Sequence, residues 1–318
     1  MTDDAQQHHH DRAEDDTSTV TGPQTGPVGT PRGRRSRPVA VGLVLVAAVA
    51  LALAGLVTLT SRPAVSAGPV HLAPGEHGLA DPARDAEPAV EPRPVSDTEL
   101  ANLPQATTFG TVGDAPPDQG TAAPSGRVLH PTHTVPVYLA PGDRAIAALP
   151  PLQLANDTWL PIIDQQPGWA RVLLPVRPGR STGWVFTNDP RVTTAHTSHR
   201  IVVDRGTFTM TLLHEDREVG RWSVGIGKAE SPTPPGRTFL LASIRDTKPT
   251  FSPIVLPLGT HSDTHTSYAG GPGTVGIHTW PTGDVYGTAS SDGCIRVPPD
   301  ALEVLSTQVP LGTPVLIG

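Results

Sequence analysis

Cysteine and aromatic residues are scarce in this sequence, and each scarcity limits what the chain can be. A single cysteine, Cys294, excludes an intrachain disulfide, so this residue is either a buried packing residue or a reactive thiol. Aromatic residues make up 4% of the chain and lie mostly in its later part, where we therefore expect the folded material. A basic excess is also missing, because the formal net charge is -7. Since a nucleic-acid partner calls for a basic patch, we expect no nucleic acid to bind.

The N-terminal part predicts a membrane anchor. Residues 1–37 are polar without apolar periodicity, which predicts a disordered tail. Residues 38–60 carry an uncharged apolar run, long enough for the roughly 20 residues of a membrane-spanning helix. An arginine cluster before this run places the tail in the cytoplasm and the rest outside, as expected for a single-pass protein of the cell membrane. A cleavable signal peptide is the alternative, since Val65-Ser66-Ala67 has the small residues of a cleavage site, but the long leader and run favour a retained anchor.

A proline-rich segment, residues 61–125, separates the anchor from the folded part and predicts an unpacked linker. Residues 126–190 then show short apolar runs separated by Pro-Gly turns, which is typical of a small β barrel. Its Gly168-Trp169 and Gly183-Trp184-Val185 runs resemble bacterial SH3-like modules. Such a module either binds the cell wall or only packs against its neighbour, because fold alone does not fix function.

Residues 199–318 predict a second, mainly β domain. Two alternating runs, 207–212 and 221–226, read as a hairpin, and 238–244 as a third strand. A helix is predicted after Pro298-Pro299-Asp300, followed by a closing strand at 315–317. The Gly270-Gly271-Pro272-Gly273 run lacks the strand–loop–helix context of phosphate binding, and we interpret it as a flexible turn.

One cluster of residues can carry nucleophilic chemistry. The thiol lies in the run Ser291-Asp292-Gly293-Cys294-Ile295-Arg296, and Gly276-Ile277-His278-Thr279 comes before it. A thiol attacks as thiolate, and an imidazole within hydrogen-bond reach can take its proton. Gly293 allows a sharp turn, and neighbouring backbone N–H groups can stabilise an oxyanion. Residue types alone do not decide between this catalytic pair and the alternative, in which the cysteine is structural and the histidine is unrelated to it.

From about residue 199 onward, the chain resembles the catalytic domain of L,D-transpeptidases, the YkuD family. That family carries a histidine, a spacer, and then Ser/Thr-His-Gly-Cys followed by an apolar residue and Arg or Asn. Here residues 279–290 separate His278 from the cysteine run. The Gly225-Ile226-Gly227-Lys228 and Ser231-Pro232-Thr233-Pro234 runs are similar to its upstream signature, and the Val309–Val315 ending is similar to its usual close. The implied fold is mainly β: a β sandwich with a short helix, here preceded by the SH3-like barrel and one transmembrane helix.

The resemblance implies a role for each site residue. Cys294 would be the nucleophile, His278 its general base, and the Thr279 carbonyl would orient the imidazole. The Gly293 and Cys294 amides would contribute to the oxyanion hole, and Ser291 would belong to the same oxyanion and substrate-binding part. Arg296 would hold a substrate carboxylate, with a surface salt bridge as the alternative. The partners implied are peptidoglycan peptide stems, joined by 3→3 cross-links through a thioacyl enzyme.

Several alternatives remain open at this stage. Water could replace the acceptor stem, which gives an L,D-carboxypeptidase, or the domain could be a catalytically weak wall-binding protein. Asp292 favours the catalytically weak wall-binding protein. The family often has histidine at this position, and a carboxylate there disfavours a neighbouring thiolate. His261 and His265 could suggest zinc, but a solvated loop is favoured because no further ligands follow at a recognisable spacing. We therefore expect no metal and no cofactor.

Overall fold

The computed structural model describes residues 88–248, 250–268 and 271–318. The predicted tail (1–37), the predicted membrane helix (38–60) and the first part of the predicted linker lie outside these residues. In the described part of the chain, no helix has both the length and the apolar character needed to cross a membrane.

The first folded region consists of antiparallel β structure. Its elements are α1 (Asp97–Asn102), β1 (Arg127–Pro131), β2 (Val135–Tyr138), β3 (Ala145–Leu149), β4 (Leu152–Gln153), β5 (Asn156–Asp157), β6 (Leu160–Gln166), β7 (Trp169–Leu173), β8 (Thr182–Phe186) and β9 (Val192–His196). Seven strands form one sheet in the order β3-β2-β8-β7-β6-β1-β9, and β4 pairs with β5. The sheet continues past the predicted boundary at residue 190, because β9 pairs with β1. The SH3-like character of this region stays a prediction.

The second region carries the remaining elements. They are β10 (His199–Asp204), β11 (Thr209–His214), β12 (Arg217–Ser223), β13 (Ile226–Gly227), β14 (Gly236–Phe239), β15 (Ile244–Arg245), β16 (Ile254–His261), β17 (Thr274–His278), a 3-10 turn (Gly283–Val285), β18 (Ala289–Ser291), β19 (Ile295–Arg296), α2 (Pro299–Gln308) and β20 (Pro314–Ile317). Over the residues that the structure describes, the prediction of a mainly β fold with few helices is confirmed.

Two sheets of this region share one apolar core. The first has the order β12-β11-β10-β20-β14, and the second has the order β15-β16-β17-β19. Ile201 and Leu212 from the first sheet pack in the same buried cluster as Leu256 and Ile277 from the second. Helix α2 begins with a proline at its first turn and buries Leu305 in this cluster. Burial of apolar surface from both sheets therefore fixes the position of β17 and β19, the strands that end at the site.

The hairpin predicted from the alternating runs is present as β11 and β12. Glu215 and Asp216 in its turn have φ angles of 49° and 60°, the conformation that two-residue hairpin turns need. The single strand predicted over 238–244 is wrong in its extent. Phe239 pairs with Pro314, whereas Leu240 bridges to Leu258, so the chain passes here from one sheet to the other.

The prediction of an unpacked linker that reaches residue 125 is also wrong. Ala106 and Val112 are fully or almost fully buried in the core of the first region. Asp118 lies in a two-pronged ion pair with Arg237 of β14, and both side chains are largely buried. The proline count indicated a chain without regular structure, but it did not exclude packing against a neighbouring surface.

The first described residues form an extended strap, residues 88–95, over an aromatic cluster of the first region. Trp169 Nε1 donates to the Val90 carbonyl at 2.7 Å, and Tyr138 Oη donates to the Arg93 carbonyl at 3.1 Å. Ala89, Pro92 and Val95 are half-buried while the other strap residues are exposed. This three-residue period is that of a polyproline II helix, so one edge of the strap faces the aromatic side chains.

Candidate active site

The predicted nucleophile and base lie at the ends of two neighbouring parallel strands. β17 ends at His278, and β19 begins one residue after Cys294. In the register of this pair, Ile277 lies opposite Ile295 and His278 lies opposite Arg296. The two side chains are therefore brought to one edge of the sheet although residues 279–293 separate them in sequence.

Cys294 and His278 line one cavity of about 330 Å³. Six of its other lining residues are aromatic or apolar, namely Phe251, Val255, Pro257, Tyr268, Gly276 and Trp280, and four are polar or charged, namely Thr274, Ser291, Asp292 and Arg296. A larger cavity of about 660 Å³ lies beside β10, β14 and β20. Neither cysteine nor histidine is among the described residues that line it, so we take the smaller cavity as the candidate site.

The His278 ring is held in one tautomer. Its Nδ1 lies 2.7 Å from the Thr279 carbonyl oxygen, which can only accept, so Nδ1 carries the proton of the neutral ring. Nε2 is then the unprotonated nitrogen. The ring is buried and contacts Phe251 edge to face, and this burial lowers the pKa of His278 below the usual histidine value. The geometry gives the Thr279 carbonyl the orienting position that the resemblance implies.

Thr279 is itself fixed by Ser252, a residue that the sequence analysis does not single out. The Thr279 backbone N–H donates to Ser252 Oγ at 3.0 Å, and the two hydroxyl groups also lie 3.0 Å apart. Ser252 Oγ in turn donates to the Ile254 carbonyl at 2.6 Å. No motif in the sequence marks this serine, since its role depends on the chain folding back to residue 279.

Cys294 is half-buried in the wall of the cavity. Its burial raises the pKa of the thiol, while a hydrogen bond with the Gly276 backbone and the charge of Arg296 lower it. Asp292 adds a smaller upward effect, in the direction that the sequence analysis expects. Both pKa directions, raised for Cys294 and lowered for His278, favour the neutral thiol and neutral imidazole in the resting site.

The turn before Cys294 is closed by its own side chains. Gly293 has a φ angle of 116°, which a residue with a side chain rarely adopts. Its N–H donates to Ser291 Oγ at 3.2 Å, and Ser291 Oγ donates to the Cys294 carbonyl at 2.6 Å. The Gly293 N–H is thus engaged inside the turn, and Ser291 is buried while it also lines the cavity. The oxyanion and substrate-binding roles of these two residues stay predictions.

The upstream signature supports the same turn. Thr233 Oγ1 donates to the Gly293 carbonyl at 2.9 Å and accepts from the Gly227 N–H at 2.9 Å. Ser231 Oγ donates to the Asp292 carbonyl at 3.1 Å. The sequence analysis uses Ser231 and Thr233 only as part of a family pattern. In the structure, their hydroxyl groups hold the turn of residues 291–294, which we call the nucleophile turn because it carries the predicted nucleophile.

Asp292 is paired with a cation. Its Oδ1 lies 2.6 Å from Lys228 Nζ, and His265 Nε2 lies 3.9 Å away. The Lys228 ammonium holds the pKa of the Asp292 carboxyl below its usual range. Both side chains are about half exposed, so the pair is screened by solvent. Lys228 thus offsets much of the negative charge that the sequence places beside the thiol.

Arg296 has an incompletely satisfied guanidinium. Its carbon lies 3.9 Å from the centre of the Trp280 ring, and Nη1 lies 3.3 Å from Ser290 Oγ. Nε is buried without a hydrogen-bond partner, and no carboxylate of the described chain lies within ion-pair distance of this residue. The surface salt bridge that the sequence analysis gives as the alternative role of Arg296 is therefore not among the ion pairs of the described residues.

His261 does not belong to a solvated loop, which is a further correction. It is the last residue of β16, is 1% exposed, and its Nε2 lies 2.7 Å from the Thr108 carbonyl oxygen. The carbonyl only accepts, so Nε2 carries the proton. His265 lies on the following loop. Among the residues that the structure describes, no group of three or more possible ligands could hold a metal ion.

Several solved L,D-transpeptidase structures match part of this chain. The one from Mycobacterium smegmatis shares 16% identity, with 47% of this chain and 90% of that chain covered at a TM-score of 0.34. The catalytic domain of the E. faecium L,D-transpeptidase shares 25% identity, with 38% and 96% covered at 0.30. L,D-transpeptidase 3 from Mycobacterium tuberculosis, solved with a faropenem-derived adduct, shares 15% identity, with 47% and 90% covered at 0.32.

No curated protein matches the chain. A family model does match its C-terminal part, over residues 198–317, within one residue of the predicted domain boundary. That model is YkuD, described as the L,D-transpeptidase catalytic domain. The similarity to the L,D-transpeptidase catalytic domain of the YkuD family thus extends over residues 198–317 of this chain.

Proposed function

We propose that this protein is a cysteine L,D-transpeptidase that forms 3→3 cross-links between peptidoglycan stems through a thioacyl enzyme. The observation that carries the proposal is that the only cysteine, Cys294, shares a cavity with a histidine whose Nδ1 is already protonated. A histidine in this tautomer offers Nε2 as a base, which is the arrangement that nucleophilic cysteine catalysis needs.

In the first half-reaction, the Cys294 Sγ attacks the carbonyl carbon between the third residue and the fourth, D-Ala, of a donor stem. His278 Nε2 takes the thiol proton as the C–S bond forms. The same proton then goes to the D-Ala nitrogen as the C–N bond breaks, so D-Ala leaves as a free amine and a thioester remains. The Thr279 carbonyl stabilises the imidazolium that forms in between, because it accepts from Nδ1 throughout.

In the second half-reaction, the side-chain amine of a second stem attacks the thioester carbonyl. The amine loses a proton to His278 Nε2, and the departing sulfur regains one, so the enzyme returns to its starting state. The Cys294 N–H is the proposed donor to the oxyanion in both halves, since the Gly293 N–H is engaged with Ser291.

Arg296 is the proposed anchor for a carboxylate of the stem. Its guanidinium lines the cavity, lies against Trp280, and keeps one buried N–H without a partner. A carboxylate placed there would satisfy that donor and receive a charge-assisted hydrogen bond. Arg296→Lys should therefore raise KM for the stem more than it lowers kcat, because lysine keeps the charge but loses the fork of donors.

We also propose that the catalytic domain faces the cell wall on the outer side of a membrane. The support for this location is the predicted helix over residues 38–60 and the arginine cluster before it. Fusing reporters at Gly318 tests the topology. A reporter active only in the cytoplasm should be silent there, and a strongly active one would contradict the proposal.

Product analysis tests the proposed reaction. Full-length protein in detergent is incubated with a tetrapeptide stem, with and without an acceptor stem that carries a free side-chain amine. We expect D-Ala release and a cross-linked dimer with the acceptor, and neither with Cys294→Ala. Release of D-Ala with tripeptide as the sole product in both samples would identify a carboxypeptidase, and no release at all would favour a wall-binding protein.

A further inference from the structure

Residues 262–268 and 271–273 are the described part of the loop between β16 and β17, and this loop borders the Cys294 cavity through Tyr268. One side chain from the first region reaches this loop. Arg177, between β7 and β8, donates from Nη1 to the Ser262 carbonyl at 3.2 Å. From Nη2 it donates to the carbonyls of His265 at 3.0 Å and Pro272 at 2.8 Å. A single guanidinium therefore holds three backbone positions spread along the loop.

The two ends of the loop contact the first region as well. At one end, His261 Nε2 donates to the Thr108 carbonyl at 2.7 Å. At the other end, Thr274 Oγ1 lies 2.5 Å from Thr108 Oγ1. Arg177 is fixed against the same segment, because its N–H donates to the Gly110 carbonyl at 3.0 Å and its carbonyl accepts from Val112 at 2.8 Å. The contacts to the loop thus come from backbone that is itself held in place.

Gly273 shows how closely the loop fits the guanidinium. Its φ angle is 74°, and a Cβ at this position would lie 2.6 Å from Arg177 Nη2 and 2.4 Å from the His265 carbonyl oxygen. Only glycine leaves room for both contacts.

From the other side, the loop contacts the nucleophile turn. Tyr268 Oη donates to the Asp292 carbonyl, and Thr264 Oγ1 lies 2.8 Å from Ser231 Oγ, which itself donates to Asp292. The chain of contacts therefore runs from Arg177 through the loop to the residue two positions before Cys294.

We propose that Arg177 is a positioning residue, through which the first β region holds loop residues 262–268 and 271–273 as a wall of the substrate cavity. This inference rests on the proposed transpeptidase function. Its physical basis is that three charge-assisted hydrogen bonds to carbonyls restrict a loop that has little regular structure of its own. The first region then contributes to turnover from outside the cavity, without touching the reacting atoms.

Arg177→Met is the direct test, because methionine keeps much of the apolar stem and removes every donor. We expect KM for the tetrapeptide stem to rise at least about tenfold, since the wall that binds the stem is loosened. Alkylation of Cys294 by iodoacetamide, a small reagent that needs no cavity wall, should stay within about twofold of the wild type. A variant that merely misfolds would change the KM for the stem and the alkylation rate together.

Gly273→Ala should loosen the same loop while Arg177 is intact, because the added methyl group would collide with the guanidinium. It should also raise the KM for the stem and leave the alkylation rate of Cys294 unchanged. Arg127→Met is the matched control, because Arg127 is an exposed arginine whose guanidinium contacts Gln165 in the first region. This control should leave both the KM for the stem and the alkylation rate of Cys294 unchanged.

Hydrogen exchange separates this inference from the proposed function. The loop amides should exchange at least about tenfold faster in Arg177→Met than in the wild type, whether or not the protein turns over stems. Unchanged exchange, or unchanged KM in an active protein, would overturn the inference. An inactive wild type whose loop still loosens in the variant would instead contradict the proposed function.

Discussion

At the scale of residues, the site combines a thiol whose pKa is raised with an imidazole whose pKa is lowered. Both shifts arise chiefly from burial, which penalises the charged form of each group. The resting pair is therefore neutral, and the proton moves as substrate arrives. The acylation rate should accordingly keep rising with pH beyond the ordinary range of a free thiol, as the thiolate fraction grows.

The pair of Asp292 and Lys228 allows a test of the charge beside the thiol. Asp292→Asn leaves the Lys228 ammonium unpaired, so the thiol pKa should fall and acylation near neutral pH should become faster. Lys228→Met leaves the carboxylate unpaired and should shift the pH–rate profile in the opposite direction. Because the pair is half exposed, each change should be about fivefold or less.

The measurement is acylation by a chromogenic carbapenem from pH 5 to 9 for both variants and the wild type. An Asn variant that is slower, with its profile displaced to higher pH, would contradict this account. It would mean that the Asp292 carboxylate supports an imidazolium instead of opposing a thiolate.

The buried Thr233 hydroxyl should matter for stability and for catalysis together. Thr233→Val keeps the shape of the side chain but leaves the Gly227 N–H and the Gly293 carbonyl without this partner. The unfolding free energy should fall by about 1–3 kcal/mol, the cost of leaving buried polar groups unsatisfied. Denaturant unfolding measures the loss, and Thr209→Val, on a half-buried strand position outside the site, should cost less. Equal costs would contradict the role given to Thr233.

The sequence points to the proposed reacting residues but not to the residues that contact and support them. Cys294 and His278 carry recognisable motifs, whereas Ser252 and Arg177 act through contacts between positions far apart in the chain. Ser291 and Gly293 illustrate a related limit. Their residue types suit an oxyanion hole, but the hydrogen bond between them depends on how the turn closes, which residue types alone do not determine.

At the scale of elements, the strands with alternating patterns were predictable and the strands of the site were not. In β11, buried positions alternate with half-buried ones, and in the second half of β12, half-buried positions alternate with exposed ones, because successive side chains of a strand point to opposite faces. β16 and β17 are buried on most positions, so they lack this alternation, and the sequence analysis does not propose them. The domain that holds the site was recognised through its motifs instead of its periodicity.

The strap of residues 88–95 gives a prediction of its own. Tyr138→Phe removes the hydroxyl that donates to the Arg93 carbonyl and keeps the aromatic ring. A hydrogen bond of this kind is worth about 0.5–1.5 kcal/mol, so amide exchange in the strap should accelerate about 2- to 10-fold.

Tyr286→Phe is the control for the strap, because it removes another tyrosine hydroxyl that donates to a carbonyl, at Val297 in the second region. Strap exchange should not respond to it. Equal exchange in the Tyr138 variant and the wild type would show that the strap is held by the Trp169 bond and apolar contacts alone.

At the scale of the whole molecule, the two predicted domains pack against each other. Phe239 and Leu241 of the second region lie in the buried cluster of the first, and the Arg237–Asp118 ion pair joins β14 to the segment before β1. The sequence showed a change of pattern near residue 190 but gave no sign of this shared core. Contacts between distant segments leave no local periodicity by which they can be found.

Acid should destabilise the folded chain through its buried histidines. Burial lowers the pKa of His199, His261 and His278, so the unfolded chain binds more protons than the folded one as the pH falls below the ordinary histidine pKa of about 6.5. Stability should therefore be constant near pH 7.5 and fall between about pH 6.5 and 5. Thermal unfolding across this range measures it. His261→Gln, which keeps a donor toward Thr108, should flatten the decline, and a decline of unchanged slope would contradict this origin.

The central claim is that Cys294 carries the acyl group of the donor stem. Intact-protein mass spectrometry of the full-length protein, quenched with acid shortly after mixing with a tetrapeptide stem, tests it most directly. The account predicts an adduct with the mass of the stem less D-Ala, localised to Cys294 by peptide mapping and absent from Cys294→Ala. An adduct of the same mass on the Cys294→Ala protein, or D-Ala release by that variant at the wild-type rate, would contradict the claim.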